Sequence, residues 1–270
     1  MKRRIPTFTV LFILGLILPA RILSAGHLGL ASPQDEFRWQ GEIAAGKALE
    51  IKGVNGNIRA EASSDSQAQV VAAKHGRRQD PKSVEIRVVE HGNGITICAV
   101  YPGDSGHPNE CVPGKGGRMN VKNSDVSVDF SVRVPAGVRF IGRTVNGQVE
   151  AAALNGDVEA HTVNGNVHVA TSGYAKGETV NGSITASLGS FEWTQPVEFE
   201  TVNGSITLDL PSAASTRFEA ETVNGNISTD FSLTVQGKLN RHHISGTIGS
   251  GGRELLLKTV NGSIELRRGH

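Results

Sequence analysis

The sequence predicts an all-β protein: a β-solenoid of about seven coils, similar to a parallel β-helix, continuous with a β-rich cap on its N-terminal side. Three observations predict it. The tetrapeptide Thr-Val-Asn-Gly occurs six times, beginning at Thr144, Thr162, Thr179, Thr201, Thr222 and Thr259. The segments between copies alternate apolar and polar residues at period two, as in Ile206-Thr207-Leu208-Asp209-Leu210. The composition, with 33 glycines and only 5% aromatic residues, suits a thin stack of Val, Ile and Leu better than a wide globular core.

The first segment sets the compartment. Lys2, Arg3 and Arg4 precede an apolar run from Phe8 to Pro19. The run is shorter than the ~20 residues a membrane-spanning helix needs, and it matches the centre of a secretory signal. Residues 1–25 read as a signal peptide. Small residues at Ser24-Ala25-Gly26 and at Gly29-Leu30-Ala31 leave cleavage open up to residue 31. No cysteine lies nearby to carry a lipid, so membrane attachment would come only through an uncleaved signal segment. Export to the periplasm, the cell surface or the medium is expected.

Removing residues 1–25 takes four of the 27 basic residues and none of the 26 acidic ones, leaving 23 against 26. That balance provides no basic face for nucleic acid. The two cysteines, Cys98 and Cys111, pair as a disulfide in an oxidising compartment. A metal site from Cys98, His107 and Cys111, with Asp104, is the alternative use of the same segment.

Residues 37–140 form the cap region. Strands are expected around the isolated Val54-Asn55-Gly56 corner. A hairpin is expected across His91-Gly92-Asn93-Gly94, and a long alternating strand from Val126 to Val134. Residues 141–268 are the repeat. Its corners are Asn146-Gly147, Asn164-Gly165, Asn181-Gly182, Asn203-Gly204, Asn224-Gly225 and Asn261-Gly262, with Ser245-Gly246 as a degenerate member before the last. Asn-Gly supplies the positive φ of a tight turn. An antiparallel meander would explain each turn locally. Repetition of the same residues at one corner per unit favours a stack in sequence order, Val on Val and Asn on Asn. In that stack Thr and Asn are expected to face outward and Val inward.

The signal segment, the Thr-Val-Asn-Gly-Ser-Ile repeats, the strand ending in Val134-Pro135-Ala136-Gly137 and the segment Gly251-Gly252-Arg253-Glu254-Leu255 resemble bacterial DUF4097-type proteins, described as β-strand repeat proteins and adhesins. The resemblance covers most of residues 37–268. It implies a surface role and transfers no catalytic residues.

Catalytic and cofactor motifs are not read in this sequence, and no cofactor or metal is expected. The glutamates at repeat-equivalent positions, among them Glu159, Glu178, Glu200 and Glu221, suit a solvated outer face. Paired carboxylates on a β-helix nevertheless keep a polysaccharide-active lyase or hydrolase as the alternative. Asn155-Gly156-Asp157 is a candidate Ca²⁺ turn, and Trp39 and Trp193 are candidate sugar platforms or core caps. His161 and His168 read as exposed strand residues, and His242-His243 as a solvated turn. The leading expectation is a non-catalytic envelope or surface protein with a structural or adhesive role, its partner a cell-wall glycan or another envelope protein.

Overall fold

The structure, a computed structural model, describes residues 35–103, 106–190, 193, 195–235 and 240–269. The signal-peptide segment and Asp104 lie outside these residues. The strands ahead of the repeats are β1 (Glu36–Glu42), β2 (Ala48–Lys52), β3 (Ile58–Ala62), β4 (Gln67–His75), β5 (Glu85–His91), β6 (Gly94–Val100) and β7 (Ser127–Val134). Next come β8 (Arg139–Arg143), β9 (Val149–Leu154), β10 (Val158–His161), β11 (Val167–Thr171), β12 (Ala175–Glu178), β13 (Ile184–Leu188), β14 (Val197–Glu200) and β15 (Ile206–Pro211). The last group is β16 (Thr216–Asn224), β17 (Ile227–Thr229), β18 (Leu233–Thr234), β19 (His243–Ile248), β20 (Glu254–Asn261) and β21 (Ile264–Gly269). Within the described residues a 3-10 turn lies at Pro81–Ser83, and no α-helix occurs among them.

These strands form two large mixed sheets. One has ten strands in the order β1-β4-β7-β3-β9-β11-β13-β15-β21-β17; the other has eleven, β18-β19-β16-β20-β14-β12-β10-β8-β2-β6-β5. Successive repeats pair in parallel, for example Val167↔Ile184↔Ile206 across β11, β13 and β15. Antiparallel pairs occur only toward the ends, at β1–β4–β7, β5–β6 and β16–β19–β18. The repeats are therefore not hairpins of a meander. Each Thr-Val-Asn-Gly copy carries the chain from the eleven-stranded sheet to the ten-stranded one. The expected hairpin at residues 91–94 is present, with His91 opposite Gly94.

Period-two alternation turns the apolar residues of both sheets into one cluster. Ile58, Val149, Val167, Ile184, Ile206 and Ile264 form a fully buried column in register. Each such side chain contributes roughly 1.5–3 kcal/mol by leaving water. Large residues need small neighbours: Phe199 lies where a Cβ on Gly177 would stand, 2.8 Å from its ring. This pairing of Phe with Gly across adjacent strands lets a core low in aromatics close without gaps.

Spatial order departs from chain order at one place. The corner asparagines bridge as Asn55–Asn146–Asn164–Asn181–Asn203–Asn261, and Asn224 pairs with Asn261 from the far side. The β20–β21 pair thus lies between β14–β15 and β16–β17, and the expected sequential stack is corrected here. Ser245 is not a corner. It sits inside β19, antiparallel to β16 and opposite Glu219. Without Asn-Gly the chain at 244–248 stays extended, and it covers one edge of the sheet instead of starting another rung.

The role of the corner glycines also differs from expectation. Positive φ occurs at Gly56 (121°) and Gly147 (159°), but the glycines of the later corners are not in that region. Close stacking excludes the side chain there instead. A Cβ on Gly182 would stand 1.9 Å from the Gly165 carbonyl oxygen and 2.5 Å from its carbon. Both are backbone atoms held by the neighbouring rung, so relief requires the rungs to separate. Gly182→Ala is expected to destabilise the fold by about 2–3 kcal/mol. Exposed Val202→Ala is expected to stay within about 0.5 kcal/mol of wild type. Urea unfolding of the two variants checks the contrast.

Candidate functional site

The repeated corner builds the main candidate site, and its first two residues sit opposite to expectation. Thr144, Thr162, Thr179, Thr201, Thr222 and Thr259 are buried, whereas Val145, Val163, Val180, Val202, Val223 and Val260 are exposed by 38–58%. Alternation explains the reversal. The residue before each threonine is charged or titratable (Arg143, His161, Glu178, Glu200, Glu221, Lys258) and lies on the outer face of the eleven-stranded sheet, so Thr points in and Val out. Threonine suits the inner position because its hydroxyl can satisfy a carbonyl that the corner turns inward. Thr162 Oγ1 donates to the Gly147 carbonyl at 2.8 Å and Thr201 Oγ1 to Gly182 at 2.8 Å. Thr259 donates to Gly204 at 2.8 Å and Thr222 to Gly262 at 2.9 Å. The outward Thr array is therefore corrected to an outward Val column.

Beside the valines runs a continuous amide ladder. Asn146 Nδ2 donates to Asn55 Oδ1, Asn164 to Asn146, Asn181 to Asn164, Asn203 to Asn181, Asn261 to Asn203 and Asn224 to Asn261, each at 2.8 Å. All bonds run the same way. Each interior amide uses one N–H and one lone pair of its oxygen on its neighbours, which leaves one donor and one acceptor direction per rung for solvent or a ligand.

On the other side of the valines, the outer face of the eleven-stranded sheet carries charges. In register, one row reads Lys52, Arg143, His161, Glu178, Glu200, Lys258 and Glu221. Its first half is tightly paired. Arg143 Nε binds buried Glu50 at 3.0 Å and its Nη2 lies 3.5 Å from Glu159, which Arg139 also holds. His161, which is buried and not exposed as expected, places Nδ1 2.9 Å from Glu178 and Nε2 3.5 Å from Glu159. Lys176 bridges Glu178 at 2.9 Å and Glu198. The hydrogen bond from His161 and then Lys176, against the opposing effect of burial, hold the Glu178 carboxyl at about 2. Glu200 is pushed the other way, first by burial and then by neighbouring Glu198.

Between the valine column and this charge row lies a groove of about 530 Å³. One wall is Val180, Val202, Val260 and Val223; the other is His161, Glu178, Glu200, Lys258 and Glu221. Sequence reasoning missed the groove, although the signal was present: the titratable residue preceding every Thr-Val-Asn-Gly copy.

The remaining candidate residues are placed elsewhere. Cys98 and Cys111 are disulfide-bonded, with Cα atoms 5.7 Å apart. Lys52 Nζ anchors the loop beyond Cys111 by donating to the carbonyls of Val112, Gly114 and Gly116 at 2.8–2.9 Å. Glu50 accepts from the Gly114 amide at 2.8 Å. Among the described residues no three His, Cys, Asp or Glu side chains converge as metal ligands. Asp157 Oδ1 instead accepts from the Tyr174 amide at 3.0 Å. Trp193 is buried, and Trp39 is half-buried against the core, so neither forms an open platform. His168 lies half-buried on β11, and His243 begins β19 instead of sitting in a turn.

Residues 143–267 match the family model Toastrack DUF4097. The repeat segment is a Toastrack DUF4097 region. No curated protein matches the chain. Among solved structures, a "putative cell adhesion protein" from Clostridium sporogenes ATCC 15579 aligns at 11% identity over 87% of this chain and 100% of that one, with a TM-score of 0.47. A "putative adhesin" from Bacteroides fragilis NCTC 9343 aligns at 11% identity over 87% and 97%, TM-score 0.27. A "putative lipid binding protein" from Parabacteroides distasonis ATCC 8503 aligns at 10% identity over 88% and 98%, TM-score 0.24.

Two predictions follow from the Toastrack region's columns. Asn181→Asp sets a carboxylate oxygen against Asn164 Oδ1 where a donor stood, and is expected to cost about 1 kcal/mol at neutral pH. Protonation restores the donor, so chemical unfolding should show the deficit shrinking as pH falls through the carboxyl range. Glu178 gives the second. Its folded pKa lies below its ordinary value, so its pairing stabilises the fold above about pH 4.5 and is lost as pH falls toward about 2. The stability gap between wild type and Glu178→Gln should close over that window, as read by urea unfolding at stepped pH.

Proposed function

We propose that the chain is a non-catalytic, exported cell-envelope or surface protein with a structural or adhesive role, built on a solenoid scaffold of seven rungs. The observation that carries this reading is the uniform exposed surface of the repeat. Valine and asparagine recur at the same two outward positions on rung after rung. A catalytic site needs unlike groups converging at one place; a surface for an extended partner needs the same groups repeated. The Cys98–Cys111 disulfide supports an oxidising location outside the cytoplasm.

A cell-wall glycan or another envelope protein is the partner class that fits a repeated polar and apolar strip. The polysaccharide-active alternative has less support. Glu178, a wall residue of the groove, is held ionised by His161 and Lys176, which ill suits a general acid.

The test is retention of the full chain on isolated cell walls and on envelope proteins, beside two variants with circular dichroism confirming their fold. One carries Asn164→Ala, Asn181→Ala and Asn203→Ala; the other carries Val163→Ser, Val180→Ser and Val202→Ser. Wild type should be retained and at least one folded variant released. Equal retention of all three chains, no retention at all, or release of sugar fragments from the walls each argues against this reading.

A further inference from the structure

The groove beside the valine column has a chemistry narrower than general adhesion. Its five rungs, at about 4.8 Å each, make it roughly 19 Å long, the span of about six residues of extended polypeptide. One wall is aliphatic from end to end: Val180, Val202, Val260 and Val223. Among the described residues no Phe, Tyr or Trp lines it, so a pyranose ring has no broad stacking platform, whereas short aliphatic side chains find a continuous apolar shelf.

The other wall is acidic, and most acidic where the paired network runs out. Across β14, β20 and β16, Glu200 and Glu221 flank Lys258 in register, while Glu198 and Glu219 flank Leu256 one row away. Four carboxylates thus surround a single lysine. Lys176 neutralises Glu198. Among the described residues, no ion pair joins Glu200, Glu219 or Glu221 to a basic side chain. Burial and the neighbouring Glu198 make ionisation of Glu200 harder, a penalty that an incoming cation would relieve.

We propose that this groove docks an extended, basic and aliphatic polypeptide segment of a partner protein, its aliphatic side chains against the valine shelf and its lysine or arginine side chains at Glu200 and Glu221. The assignment rests on the reading of the chain as a surface protein and names the partner chemistry of its repeat. Valines alone would accept any apolar strand. The unpaired carboxylates select the cationic one, and an acidic segment would meet repulsion along the same wall.

The probe is a fluorescent, end-capped hexapeptide of alternating valine and lysine, titrated into the full chain and followed by anisotropy at low and high salt. A valine–glutamate hexapeptide and an amino-sugar oligomer of equal positive charge are run beside it. The chain variants are the isosteric pair Glu200→Gln with Glu221→Gln, and Val202→Ser with Val260→Ser, both on exposed or half-buried groups outside the core column. The expected result is binding of the valine–lysine peptide that weakens about ten-fold in each variant and falls with salt, with the valine–glutamate peptide inert. Binding unchanged by Glu200→Gln with Glu221→Gln, or equal binding of the acidic peptide, overturns the proposal. So does an amino-sugar oligomer that binds with the same glutamate dependence and no valine dependence, which would assign the groove to a glycan. A chain that is retained on envelope material but binds no peptide removes this proposal and leaves the surface-protein reading standing. Loss of both removes the broader reading.

Discussion

Everything in this molecule depends on how closely one corner backbone lies upon the next. With a glycine carbonyl about 2 Å from where the following glycine's Cβ would stand, each rung is seated on its neighbour without slack. The threonine hydroxyl then closes that carbonyl from the inside, and the asparagine amide links the rungs on the outside. Register follows, and the isoleucine and valine column of the core can form only in that register. Local rules are thereby converted into a long-range one. No single bond in the corner is strong, but a slip at one rung would break the same three contacts at the next.

That arrangement also explains why the surface is so regular. Alternation starting from a residue on the outer face leaves valine exposed at each Thr-Val-Asn-Gly corner, with asparagine beside it. The exposed valines contribute little to folding, since each keeps more than a third of its surface in water. Their recurrence is a by-product of stacking and at the same time a flat apolar strip that a partner can use. Structure and the proposed recognition surface share the same four residues. The charge row is different. Its members change from Arg143 and His161 through Glu178 and Glu200 to Lys258, so it gives direction to a surface that the corners alone would leave uniform.

Much of the architecture was legible in the sequence, because Thr-Val-Asn-Gly repeats strictly and alternation is clear on both sides of it. Most strands and the parallel pairing could be read from the repeat, and the disulfide partners from there being two cysteines; β4 and β19 were not read. The orientation of the corner was not read correctly. It is set by the polar residue before Thr, which takes the outer face, and not by the Asn-Gly turn. The position of β20–β21 was not legible at all. Nothing local distinguishes the Asn261 corner from the others; it takes the place beside Asn203, while β19 returns antiparallel along the opposite edge of β16. The groove was missed for a related reason: it needs side chains from five rungs whose spatial order the sequence does not display.

The slot filled by β20–β21 has a consequence for how the chain becomes a finished fold. A stack built in chain order can grow one rung at a time, each new rung resting on the last. Here Asn203 reaches its neighbour only across 58 residues of chain, after β16, β17 and β19 have already been made. On its stack side the β16–β17 rung pairs with β20–β21, so it takes its place in the stack only once those strands are present. Completion of the stack therefore requires the last corner of the repeat, at Asn261, to be in place.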